Sequence, residues 1–196
     1  MRAFRPNSSE SKLITTKFDY PGRLEFIFNN PPDTFDISNE LMQIKQEDAG
    51  AKDSLVYWLE RNPEGRMEFI LNVNGEIDTI KPLRKSEPEK GASTALVLTN
   101  NLKAGELLPN EQFTLISTEP YDQVFKDRIH FLDKDSLELD PVSYQLENFR
   151  SLVFDTLNTN VKFVKIDSAA ATSTFRNSVE KEQWISIKLL EPDYFG

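Results

Sequence analysis

The 196-residue chain is long enough for one ordinary domain or two small lobes, and its 38% apolar content, with 14 Phe, 5 Tyr and 2 Trp, argues for a packed core over disorder. A net charge of -9 repels phosphate backbones, so direct nucleic-acid binding is disfavoured. The absence of cysteine excludes disulfide frameworks, thiolate zinc sites and thiol nucleophiles together.

The opening stretch MRAFRPNSSESKLITTKFDY holds no apolar run long enough for a secretory signal, and no segment approaches the roughly 18 apolar residues of a membrane span. The expected location is therefore the cytoplasm, or a particle assembled there, with no membrane partner. Residues 1–11 are polar, and residues 1–25 carry five basic against three acidic side chains, unlike the acidic remainder. They read as a flexible arm, with Arg2 and Arg5 placed to dock on an acidic neighbour, running into a strand near Leu13 to Phe18.

GRLEFIFNN (22–30) reads as a strand stopped by Pro31 and Pro32, which cannot donate to a ladder. Asp36 or Ser38 is placed to cap a helix through about Asp48, with Ile37, Leu41 and Ile44 on one face. SLVYWLERNPEGRMEFILNVNGEIDTIKPL (54–83) predicts a three-strand meander. Pro63 and Gly65 mark one turn, and Asn74-Gly75 is the pair a tight type I′ hairpin demands. SLVYWLE is apolar on both faces, as an interior strand covered on two sides would be.

The segment 86–93 is polar and proline-bearing, a linker or exposed loop between a first lobe at 12–85 and a second at 94–196, unless 12–196 is one continuous domain. Strands follow at 94–99, 112–118, 128–132 and 136–140. Asp140 and Pro141 then suit a helix start, with Val142, Leu146, Phe149, Val153 and Leu157 at helical spacing. VKFVKID (161–167) reads as a strand, 168–182 as a short helix or a loop, with the helix favoured, and QWISIKLLE (183–191) as a closing strand. The predicted class is α+β and β-rich: antiparallel meanders with one or two amphipathic helices packed on the sheet. No internal repeat is evident.

FLDKDSLELD (131–140) follows the lone His130. A calcium loop starting at Asp133 would put Leu137, Glu138 and Tyr144 where an oxygen ligand, a glycine and a glutamate belong. The stretch reads better as a hairpin with outward acids. A rival reading lets Asp133, Asp135 and Asp140 hold a divalent cation with His130 as proton carrier, making a metal-dependent hydrolase. There is no Gly-x-Ser-x-Gly elbow and no phosphate-cradling loop, and no cofactor is expected. The favoured function is a non-enzymatic interaction or structural protein, a subunit of a larger assembly such as a virus particle. It would act on protein partners, further copies of itself included, through Arg2, Arg5 and the aromatics Tyr194 and Phe195. A third reading is an acidic inhibitor or nucleic-acid mimic, suggested by eight acidic against three basic residues over 119–147.

Overall fold

The computed structural model describes residues 10–19, 21–39, 44–47, 50–60, 66–83 and 95–190. The chain divides into two compact units, Met1–Gly91 and Ala92–Gly196. Each has its own apolar core.

The first unit runs β1 (Leu13–Asp19), β2 (Arg23–Phe28), β3 (Phe35–Ser38), β4 (Ile44–Glu47), β5 (Ser54–Leu59), β6 (Phe69–Val73) and β7 (Glu76–Ile80). They form one sheet ordered β1-β2-β5-β4 and another ordered β3-β6-β7, with every pairing antiparallel. Alternation assigns the faces: in β2, Leu24, Phe26 and Phe28 are buried while Arg23, Glu25 and Ile27 between them are not. The inner faces meet through aromatic rings. Phe18 of β1 stands edge-on to Phe69 of β6 at 6.0 Å, and Phe35 of β3 packs on both Phe26 and Tyr57. Each such side chain, fully buried, contributes about 1.5–3 kcal/mol. Asn74 and Gly75 turn β6 into β7 with φ of 52° and 89°, as a type I′ turn requires.

Two expectations fail here. The helix over 36–48 is instead β3 and β4. Phe35 and Ile37 alternate with polar neighbours at the period of a strand, and the Asp36 carboxylate accepts from the N–H of Ile37, next in the chain, at 2.9 Å. Leu41 lies outside the described residues. The three-strand meander is also wrong. β5 is interior, as its two apolar faces suggest, but it sits between β2 and β4, whereas β6 and β7 belong to the other sheet. The chain changes sheets over 60–68, a stretch whose residues 61–65, with the expected Pro63–Gly65 turn, lie outside the described residues. Period-2 patterning identifies strands but does not say which strands pair.

The second unit runs β8 (Leu98–Asn100), β9 (Glu106–Leu107), β10 (Thr114–Ser117), β11 (Tyr121–Val124), β12 (Ile129–Leu132), β13 (Tyr144–Asn148), β14 (Ser151–Phe154), β15 (Phe163–Ile166), β16 (Ala171–Ser173), β17 (Gln183–Ser186) and β18 (Lys188–Leu189). One sheet is ordered β13-β14-β10-β8 and the other β12-β15-β17, with short pairs β11-β16 and β18-β9 at the margins. Phe154 of β14 joins the layers, touching Phe131 of β12 at 5.4 Å and Phe113 at 5.6 Å.

The helix expected over 140–158 is the hairpin β13–β14. Asn148 accepts the N–H of Arg150 on its side-chain oxygen at 2.9 Å, which turns the chain, and Leu152 and Phe154 point inward while Leu146 is exposed. Its three-to-four residue apolar spacing was accidental, and pairing of β14 with β10 overrides it. The short helix over 168–182 is replaced by β16 and a turn in which Arg176 takes a φ of 68°. Among the described residues the single helical feature is a 3-10 turn at Lys126–Arg128. The class is nearly all β, not α+β.

Setting aside the marginal strands, both units obey one rule. The first, second, fifth and fourth strands make one sheet, and the third, sixth and seventh make the other. This is the strand order of the constant-type immunoglobulin sandwich. The chain repeats a topology without an evident repeat in sequence.

Candidate interaction face

The outer face of β12-β15-β17 gathers His130, Lys165, Asp167 and Glu182, joined by Glu138. Cross-strand register sets His130 beside Lys165 and Lys165 beside Trp184 in one row. Ile129, Phe131, Val164 and Ile166 alternate with these residues and are buried on the inner side, which forces the row outward. The hairpin 133–138 brings Glu138 to the β12 edge, opposite Leu132.

Acids and bases interleave along this face. His130 Nδ1 lies 2.7 Å from Glu138 and its Nε2 lies 3.1 Å from Asp167. Lys165 Nζ reaches Asp167 at 2.9 Å and Glu182 at 3.1 Å, and Trp184 donates its indole N–H to Glu182 at 2.6 Å. Lys165 also stands 5.9 Å from the centroid of the Trp184 ring, which Phe163 meets edge-on at 6.3 Å. Glu138, and then Asp167, hold the His130 imidazolium and raise its pKa above the ordinary histidine value. Lys165, and then His130, lower the carboxyl of Asp167. The indole of Trp184, and then Lys165, lower that of Glu182. The face therefore carries two basic groups paired with three carboxylates, with Trp184, 51% exposed, at its end.

The cation reading needs a convergence that is not formed. The Asp133 carboxylate accepts the N–H groups of Asp135 and Leu137 at 2.8 and 2.9 Å, so it braces its own turn. Asp135 pairs weakly with Lys134 at 3.6 Å, Asp140 is exposed, and His130 is taken by Glu138 and Asp167. Among the described residues no three His, Asp or Glu side chains gather as a metal site. The hairpin itself is present: Asp133 donates its N–H to the Leu137 carbonyl, and Leu139 donates to Phe131. Arg2, Arg5, Tyr194 and Phe195 lie outside the described residues.

Sequence reasoning missed the partners of His130 across the sheet, because Asp167 is 37 positions away. The outward setting of Trp184 was legible, since Ile185 and Ile187 alternate against it. A second grouping was missed entirely. Glu119, 8% exposed, accepts from the Asn177 side-chain amide with both oxygens at 2.8 and 3.0 Å. Ser173 Oγ meanwhile accepts the N–H groups of Phe175 and Asn177 at 3.2 Å each. Burial pushes the Glu119 carboxyl up. With its partners satisfied, this grouping locks the β10–β11 corner to the turn after β16.

No protein-family model matches the chain, and no curated protein matches it in sequence. Among solved structures, domains 5–6 of the S-layer protein SbsC align over 93% of this chain and 100% of that one, at 8% identity and a TM-score of 0.35. The I9–I11 tandem of titin aligns over 92% of this chain at 10% identity and a TM-score of 0.28, and this chain spans 66% of it. The adhesin InvE of Yersinia pseudotuberculosis aligns over 91% of this chain and 58% of its own, at 12% identity and a TM-score of 0.28. The fold assignment rests on the strand order, not on these alignments.

Proposed function

We propose that this protein is a non-enzymatic interaction module, a component of a larger assembly built on two immunoglobulin-type sandwiches. The observation that carries the reading is the outer face of β12-β15-β17. Its ionisable groups are engaged with one another, and an exposed indole stands at its end. A catalytic site needs a group held ready for substrate, whereas a face of paired charges around an aromatic anchor suits docking. Trp184 is the anchor of that face. Arg2 and Arg5, and Tyr194 and Phe195, are further partner-binding residues.

The test is sedimentation velocity of the full chain beside Trp184→Ala and Tyr194→Ala/Phe195→Ala, each checked by thermal unfolding. Weaker association at an unchanged melting temperature is the expected result, and association equal to the parent in both variants refutes the reading. Thermal unfolding with Mg²⁺, Mn²⁺ or Ca²⁺ supplies the enzymatic counter-test. A rise of several degrees would identify a cation site and revive the hydrolase.

A further inference from the structure

In the second unit the chain just beyond β17 is covered along its outer edge. β18 pairs in parallel with β9, Lys188 beside Glu106 and Leu189 beside Leu107. Leu107 is buried there, and Lys188 Nζ binds Glu106 at 2.8 Å. The corresponding strand of the first unit is β7, and among the described residues its sheet ends with it. Here, among the described residues, β1 pairs with β2 from Leu13 to Asp19 and no strand pairs with the far side of β7.

The edge left by this difference has a defined chemistry. The two-residue loop makes Val73 and Glu76 a bonded pair, so alternation turns the backbone groups of Ile77 and Thr79 outward. Asp78 accepts the Thr79 N–H on its own carboxylate at 2.7 Å. The Ile77 N–H has no partner among the described residues, and its side chain is 74% exposed. A cleft of 470 Å³ is lined by Leu13, Leu71, Val73, Glu76 and Asp78, with Lys12 also on it. Glu10, on the same lining, is paired with Lys12 at 3.1 Å. A second β7 laid antiparallel on this edge would set Glu76 and Asp78 against their own copies, which disfavours self-pairing. A strand carrying a basic residue two positions from an apolar one fits instead. The sequence supplies one in Arg2-Ala3-Phe4-Arg5, ended by Pro6.

We propose that the β7 edge accepts residues 2–5 of a second copy as an added strand. Phe4 enters the cleft against Leu71 and Val73, Arg2 on the same side meets Glu76 and Asp78, and Arg5 adds attraction from the outer side. The inference rests on the docking role assigned to Arg2 and Arg5 above and names the surface that receives them. Donor and acceptor are different surfaces, so the contact is heterologous and extends into a ring or a chain of subunits.

Sedimentation velocity of the full chain over a concentration series, at low and high salt, tests it. The parent chain forms species that grow with concentration and dissociate at high salt. Glu76→Lys/Asp78→Lys and Arg2→Glu/Arg5→Glu each weaken association at least tenfold, and mixing the two restores a complex, because the intact arm of the first variant docks on the intact β7 edge of the second. Ile77→Pro removes only an outward N–H, so it weakens association with its fold intact by circular dichroism. A parent chain that stays monomeric throughout overturns the inference. If the arginine variants lose association and the β7 variants keep it, the docking role of Arg2 and Arg5 stands and this receiving surface falls. If the β7 variants lose it and the arginine variants do not, the named occupant is wrong.

Discussion

The two units solve one topological problem with different margins. Both place first, second, fifth and fourth strands against third, sixth and seventh, yet the second unit divides its opening strand and the first does not. β8 pairs with β10, and the chain then crosses so that β9 covers β18. Among the described residues, the first unit pairs its opening strand with β2 and leaves β7 as an edge. The second unit also buries a carboxylate and aligns a charged row on its face. A shared strand order therefore fixes where the core lies and leaves the margins open to be sealed or offered. What differs between the units is where interaction chemistry collects.

Each unit holds one tryptophan, Trp58 buried in the first and Trp184 exposed in the second, so fluorescence follows the units separately once the other is replaced by Phe. The largest break in the comparison comes from the cores. Phe154→Ala should cost about 3–5 kcal/mol in the transition read at Trp184 and leave that at Trp58 nearly unchanged, and Phe26→Ala should do the reverse. Equal shifts at both probes would mean that the cores do not unfold as separate units. Next is the buried corner: Asn177→Ala strands the Glu119 carboxylate and should destabilise the second unit by about 1–3 kcal/mol in urea titration. Gly75→Val asks a branched residue to hold a φ of 89° where nothing crowds the new Cβ, so strain alone should cost the first unit about 1–2 kcal/mol.

The smallest effect is in pH. The folded pKa of His130 is raised above its unfolded value, so its stabilisation is present in full below about pH 6.5 and fades as pH rises through the raised value. The second unit should lose stability across that window, and His130→Gln should flatten the profile. An unchanged profile would show that the Glu138 and Asp167 contacts carry no weight. The first unit has no histidine and should show no step there.

The strands were largely readable in the sequence, and the sheets were not. β1, β2, β5, β6, β7, β12, β15 and β17 lie where period-2 alternation, the proline stops and Asn74-Gly75 put them. The helices failed where apolar residues happened to fall three or four apart, as from Val142 to Leu157, because spacing alone cannot weigh a local helix against pairing with a distant strand such as β10. The same non-locality hid the meeting of Glu119 with Asn177 and of His130 with Asp167. It also hid the repeated topology, since strand order is a relation among segments and leaves no mark within any one of them. The bracing role of Asp133 was closer to hand, because Asp-x-x-Ser at a turn is a local signal.

Antibody domains of this strand order tie their two layers with a sulfur bridge beside a buried tryptophan. Here aromatic contact joins the layers instead, Phe18 on Phe69 in one unit and Phe131 on Phe154 in the other. With no cysteine in the sequence, neither of these layer contacts depends on a disulfide. Nor can thiol exchange within these units couple one copy to the next.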